Sequence, residues 1–326
     1  MKFSTIGTSW ITEAFLAAAS NLSDVQLYSV YSRSEETAKQ FAQKNGADEW
    51  YTNIDDMLEG ESDFIYIASP NSMHYKHIIK CMEKKKHVFC EKPLVYNEKQ
   101  WRLIKEKASE HGVFVFEGYR HLFSPNYMHL KNTLPKIGEI RSVLFQFVQY
   151  SSRYDAFKEG KEPNVFSKQF AGGALMDLGV YPLSMAIDLF GEPMDVDYFP
   201  VLLENGIDGS GTLVLIYQGF TVTIMCSKIA QATIPSEVQA EEGTLTVDHI
   251  APIQHLEWFD RKTKETHEIA EKQHQEDMVY ELEAFIRMIK EQDHSSHEQW
   301  LERSRQVVKW AEIARRKQGI IFPEED

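Results

Sequence analysis

Positive charge, cysteine, long apolar runs and flexible linkers are what this 326-residue sequence has little of. Its 35 Lys and Arg stand against 49 Asp and Glu, a formal charge of −14. An acidic surface repels phosphate backbones, so no nucleic-acid partner is expected, although a local basic pocket for a cofactor phosphate stays compatible. The three cysteines, Cys81, Cys90 and Cys226, are odd in number, and their spacing fits neither a disulfide framework nor a paired metal motif. A reducing, cytoplasmic setting is the expectation. The longest apolar stretch, Thr212 to Cys226, is too short to cross a bilayer and carries Gln218 and Gly219, so no membrane span is expected. Ala17 to Ser20 resembles a small-residue cleavage site, but Gly7, Thr12 and Glu13 interrupt the apolar core a secretory signal needs. No repeat or low-complexity segment breaks the chain. Two globular domains with buried cores are expected from its length.

Residues 1–118 alternate short apolar strands (3–6, 25–31, 64–68, 87–90, 113–116, and a weak one near Trp50) with amphipathic helices (11–20, 35–44, 73–85, 98–111) and a short acidic helix around Asp55. Such alternation predicts the α/β class: a parallel, doubly wound sheet with its ligand site at the carboxyl ends of the strands. From Tyr119 the pattern changes. A helix over 125–134 leads into alternating segments at 141–150, 211–218, 220–227, 237–239, 243–247 and 255–260, and two helices, 276–290 and 298–317, close the chain. This predicts an α+β domain over 119–326 with a large open, mostly antiparallel sheet.

The first strand runs into Gly7-Thr8-Ser9-Trp10-Ile11-Thr12, which occupies the place of a GxGxxG turn but keeps only its first glycine. That turn exists so that backbone N–H groups and a helix N-terminus can approach a pyrophosphate. Ser9 is small enough to permit the approach; an ordinary strand–helix turn is the alternative. At the end of the second strand, where an NAD enzyme usually carries a carboxylate for the ribose 2′-hydroxyl, stand Ser32 and Arg33. An arginine without a competing carboxylate favours a 2′-phosphate, hence NADP ahead of NAD. The alternative is a solvated surface charge.

Three further stretches narrow the reading: Ile67-Ala68-Ser69-Pro70-Asn71-Ser72-Met73-His74, His87-Val88-Phe89-Cys90-Glu91-Lys92-Pro93-Leu94, and Gly172-Gly173-Ala174-Leu175-Met176-Asp177-Leu178-Gly179-Val180-Tyr181-Pro182. In this order and spacing the chain resembles the glucose-fructose oxidoreductase, inositol dehydrogenase and MocA family over nearly its whole length, including Gly138-Glu139-Ile140-Arg141 and Phe190-Gly191-Glu192-Pro193. The resemblance implies a Rossmann domain followed by an open sheet that commonly forms the subunit interface. It implies that Ser69, Pro70, Asn71 and His74 line the cofactor cleft with Gly7, Thr8, Ser9, Trp10, Ile11, Ser32 and Arg33. Glu91 and Lys92 would lie at the nicotinamide, with a cis Lys92–Pro93 bond, and Asp177 in the substrate pocket. Tyr181, where many members have His, is similar to the dihydrodiol dehydrogenase branch, which acts on cyclic diols and sugars. Two departures stand out: Ser9 replaces the second glycine, and Val165 follows Asn164 where an arginine often precedes the Gly-Gly segment.

Hydride transfer at a carbinol carbon requires a proton to move at its oxygen. The resemblance makes Lys92 and Tyr181 the proton-transfer candidates and Asp177 the group that orients a substrate hydroxyl. Without it, Lys92 extends the surface run Lys84-Lys85-Lys86 and Tyr181 is a packed aromatic. His74 and His77 lack a third ligand, so no metal is expected. His294 and His297 read as solvated. The mix of Arg153, Tyr154, Phe157, Phe166 and Phe170 suits a polar ring substrate, a dimer contact or plain core. The expected function is NAD(P)-dependent oxidation of a sugar, polyol or cyclic diol. The competing readings are a non-catalytic NAD(P) sensor and an NAD-dependent glycoside-cleaving relative. A homodimer through the C-terminal sheet is expected. Strand 141–150 carries Val143, Phe145 and Phe147 on one face and Leu144, Gln146, Val148 and Tyr150 on the other, and an uncovered apolar face marks an interface.

Overall fold

The computed structural model describes residues Met1–Glu325. Two compact units divide them: Met1–Gly118 with His274–Ser304, and Tyr119–Gln273 with Arg305 onward.

The first unit begins as β1 (Lys2–Ile6), α1 (Trp10–Ala19), β2 (Gln26–Tyr31), α2 (Glu35–Asn45), β3 (Glu49–Tyr51), α3 (Ile54–Leu58), β4 (Phe64–Ile67), α4 (Asn71–Glu83), β5 (His87–Glu91), α5 (Glu98–His111) and β6 (Val115–Gly118). The six strands form one sheet in the order β3-β2-β1-β4-β5-β6, every neighbouring pair parallel. β4 is Phe-Ile-Tyr-Ile with all four residues buried, as a strand covered on both faces must be. Phe15 of α1 stacks on Tyr66 and meets Phe3 edge-on, which seats that helix on the sheet. Asn97 starts α5 by accepting the Gln100 backbone N–H. The reversal of strand order falls between β1 and β4, the topological switch point where such sheets bind ligands.

The second unit holds α6 (Pro125–Thr133), β7 (Ile140–Val148), α7 (Arg153–Lys158), α8 (Val180–Phe190), β8 (Asp195–Leu202), β9 (Asp208–Tyr217), β10 (Phe220–Ser227), β11 (Ser236–Ala240), β12 (Gly243–Val247), β13 (Leu256–Asp260) and β14 (Thr266–Glu268). Its eight strands run β14-β13-β12-β11-β7-β10-β9-β8. All pairs are antiparallel except β7 with β10. Val143, Phe145, Val222, Ile224, Leu213, Leu215, Val196 and Tyr198 form its buried face. α8, buried from Val180 to Ile187, provides core. The helical run Lys168–Phe190 is long and apolar enough to cross a membrane by composition, yet 83% of its apolar window is buried inside the protein.

The structure differs from the sequence expectation in several places. α9 (Met278–Glu291) and α10 (His294–Lys317) follow the second sheet in sequence, but His274–Ser304 clusters with the first unit. There Phe285 meets Phe64, Phe89 and Phe116. β8 and β14 are additional strands, one at each edge of the second sheet. His297 is not solvated: it lies inside α10, buried, and its Nε2 accepts the Val115 N–H at 2.9 Å. Gln146 and Val148 do not lie on an open face. The Gln146 amide donates to the Ile234 carbonyl, and Val148 accepts from the Ala232 N–H, so the chain after β10 covers them.

Candidate active site

In the first unit the expected cofactor residues gather at the carboxyl ends of the strands. Gly7 ends β1 at φ +117°, and a Cβ there would stand 2.6 Å from the Ala68 carbonyl oxygen at the end of β4. Only glycine meets both demands at the switch point. Ser9 is the extended residue before α1, and its side chain does not cap that helix. The first-turn N–H groups of a helix have no intrahelical acceptor and so suit an anion. Trp10, the next residue, is 70% exposed. At the end of β2, Ser32 donates its N–H to the Tyr51 carbonyl. Arg33 is exposed and makes no hydrogen bond or ion pair among the described residues. Turn, helix start and unpaired guanidinium together fit a dinucleotide carrying a 2′-phosphate.

His74 lies between the Ser69 and Lys92 loops, and its single ring N–H can donate to one of the two carbonyls it faces. Its Nε2 lies 2.7 Å from the Ser69 carbonyl and its Nδ1 2.8 Å from the Pro93 carbonyl. Burial holds its pKa below the ordinary histidine value, and the Lys92 ammonium adds to that. His74 is thus a buried strut, whereas Ser69, Pro70 and Asn71 are half-buried. The Ser69 hydroxyl lies 2.9 Å from Nδ1 of His77, whose pKa burial lowers to about 4. Glu91 is buried and accepts the Tyr66 hydroxyl at 2.8 Å. Lys92 is half-buried, and the Lys92–Pro93 bond is cis. One residue that sequence reasoning passed over, the fully buried Glu117, accepts the Leu94 N–H at 2.7 Å and the Ser304 hydroxyl, fixing the end of this loop.

In the second unit the Gly-Gly segment makes a tight turn. Gly172 and Gly173 donate their N–H groups to the Ser167 and Val165 carbonyls, both at 3.0 Å. Gly173 has φ +104° and leaves no room for a side chain against Asp208. The segment continues as one π-helical turn, Leu175–Gly179, before α8. π turns re-aim side chains and recur at functional sites. Asp177 sits in this turn, half-buried. Tyr181 follows in the first turn of α8, buried against the rings of His121, Tyr119 and Phe147. Nε2 of His121 lies 3.1 Å from its carbonyl.

Two charged residues here were not picked out from sequence. Lys228, directly after β10, is 4% exposed, and its ammonium pairs with the Asp177 carboxylate over the face of Phe166. Asp208 accepts the Leu175 N–H at 2.7 Å and the Tyr198 hydroxyl at 2.6 Å. A charged residue abutting a strongly alternating apolar strand was the available signal for both.

Residues 1–119 match the family described as "Oxidoreductase family, NAD-binding Rossmann fold", and residues 135–246 match the GFO/IDH/MocA C-terminal domain. The chain belongs to the GFO/IDH/MocA oxidoreductase family. Among GFO/IDH/MocA members it is 40% identical to scyllo-inositol 2-dehydrogenase (NADP(+)) of Bacillus subtilis, over 99% of this chain and 98% of that one. It is 29% identical to trans-1,2-dihydrobenzene-1,2-diol dehydrogenase of Xenopus tropicalis, over 70% of this chain and 68% of that one. The fold is similar to that of a 3-ketoreductase from Actinomadura kijaniata solved with NADP and TDP-benzene, with a TM-score of 0.83, 22% identity and 97% of each chain covered. The candidate site residues are divided between the units: Gly7, Ser69 and Lys92 in the first, Asp177 and Tyr181 in the second.

Proposed function

We propose that this protein is an NADP-dependent dehydrogenase of cyclic polyols or diols, acting at a CH–OH group or at the matching carbonyl. The observation that carries this reading is the end-to-end likeness to an NADP-dependent scyllo-inositol dehydrogenase. Arg33, exposed and unpaired where a 2′-phosphate would lie, agrees with it.

When bound, the dinucleotide supplies the hydride-accepting or hydride-donating ring. Gly7 to Ile11 would hold its pyrophosphate through backbone N–H groups, and Ser32 with Arg33 its ribose phosphate. The loops of Ser69–Asn71 and Glu91–Lys92 would border the ring, with His74 between them. Lys92 and Tyr181 are the groups proposed to take the proton from a substrate hydroxyl or return it to a carbonyl oxygen, and Asp177 orients the neighbouring hydroxyl.

The same reading includes a homodimer through the second sheet. Leu144, Val214, Ile216 and Met225 are half-buried on its open face, and Phe199, Val201 and Leu202 are exposed at the β8 edge. A two-fold pairing of such faces covers them. Three free, buried cysteines suit a cytoplasmic setting. The test is absorbance at the reduced-nicotinamide band with NADP and a panel of inositols and trans-diols. A polyol-dependent rise supports the reading; no change with any polyol or matching ketone refutes it.

A further inference from the structure

The buried Lys228 ammonium has three N–H donors, yet among the described residues one oxygen accepts from it, that of Asp177. Its side chain is 5% exposed, and the Phe166 ring lies 5.7 Å from Nζ to the centroid. The backbone on either side is fixed: the Lys228 N–H donates to the Gly209 carbonyl, and the Lys228 carbonyl accepts the Ser151 N–H. An aromatic group of Tyr154, Phe157 and Phe166 backs the position. A buried cation with unmatched donors is incomplete until a further oxygen reaches it.

We infer that Lys228 is a substrate-positioning residue that, with Asp177, clamps vicinal hydroxyls. The ammonium donates to one oxygen of the substrate, and the carboxylate accepts from the adjacent hydroxyl. This rests on the polyol reading above and deepens it. The charge on Lys228 is already balanced by Asp177, so the pair is neutral. It therefore suits an uncharged vicinal diol better than a phosphorylated sugar or a sugar acid, whose extra negative charge this pair cannot balance. The flat ring of Phe166 beneath the cation suits the apolar face of a cyclic substrate. A hydrogen bond to a non-reacting hydroxyl is made alike in the ground and transition states, so its loss falls on KM and not on kcat.

The experiment compares trans-1,2-cyclohexanediol with cyclohexanol, using NADP, in the unaltered protein, Lys228→Met and Lys228→Gln. Thermal unfolding and NADP affinity serve as fold controls. The unaltered protein should prefer the diol. Lys228→Met should raise KM for the diol about 10- to 100-fold more than KM for the mono-ol, and abolish the preference. Lys228→Gln keeps one neutral donor and should lose a smaller part; it carries the test if the Met variant does not fold. An unchanged diol preference in a folded variant overturns the clamp, as does an equal loss on both alcohols, which marks a purely structural role. If the unaltered protein turns over no polyol at all, the proposed function fails and the clamp with it.

Discussion

Asp208 should make the stability of this protein fall with rising pH across a narrow window. The carboxyl is buried, and burial raises its pKa from 3.8 to about 6, against the pull of the Tyr198 hydroxyl and the backbone N–H groups of the Gly-Gly turn. The folded protein therefore keeps this proton to about pH 6, whereas the unfolded chain releases it near pH 4. Folding is helped fully below that lower value, and the help is lost as pH rises through the upper one. A gap of about two pH units corresponds to about 3 kcal/mol. Asp208→Asn keeps the shape and removes the titration. In urea unfolding between pH 4 and pH 7, the stability of the unaltered protein minus that of the variant should shrink by about 3 kcal/mol, most of it between pH 4 and pH 6. A difference that is flat with pH, or that grows as pH rises, would refute the reasoning, because the first means an unperturbed carboxyl and the second one held ionised.

Arg33→Asp should weaken NADP binding by about 1.5–3 kcal/mol and leave NAD binding nearly unchanged, as read by titration calorimetry; equal affinity of the unaltered protein for both cofactors would contradict the assignment. Lys92→Met and Tyr181→Phe should each lower kcat by about 10²–10⁴-fold while NADP affinity holds; near-normal turnover in both would show the roles are misplaced. Phe199→Asp should convert a dimer to the 37.8 kDa chain mass in sedimentation, and a dimer that survives it would point to another surface. Glu325→Ala should destabilise the protein by about 3–5 kcal/mol, since Arg315, itself 1% exposed, would lose its carboxylate partner; an unchanged thermal midpoint would mean the pair contributes nothing.

The sheet of the first unit was legible because each strand is a short apolar run between helices with caps or breaks of their own. The residues proposed to hold a dinucleotide stand at those strand ends, so finding the strand finds the candidate site. The second unit was legible only in part. β8 contains Pro200, which reads as a loop, yet β8 is an edge strand and an edge tolerates a residue with no N–H to give. α8 is apolar on every side, so no helical period shows. Asp177 stood out through the family pattern, but Lys228 lies 51 positions further along and its burial is a tertiary fact. Asp208 sits among Asn205, Gly206, Gly209 and Gly211, which look like a turn, although Asp208 begins β9 and supports the Gly-Gly segment from behind. Local composition records what a residue prefers, not which distant group satisfies it.

The divided make-up of the first unit bears on how the protein is made. All six strands of its sheet have left the ribosome once residue 118 is out, but Phe285, which meets three of their aromatic rings, arrives more than 150 residues later. Until then Phe15 of α1 covers only part of that aromatic face, and the rest is the kind of surface that recruits chaperones or aggregates. A fragment ending at Gly118 should inherit that exposed face permanently. Excising the nucleotide-binding half as an autonomous module would thus require grafting residues 274–304 back onto it, and a stop codon anywhere before Phe285 would damage the beginning of the protein as surely as its end.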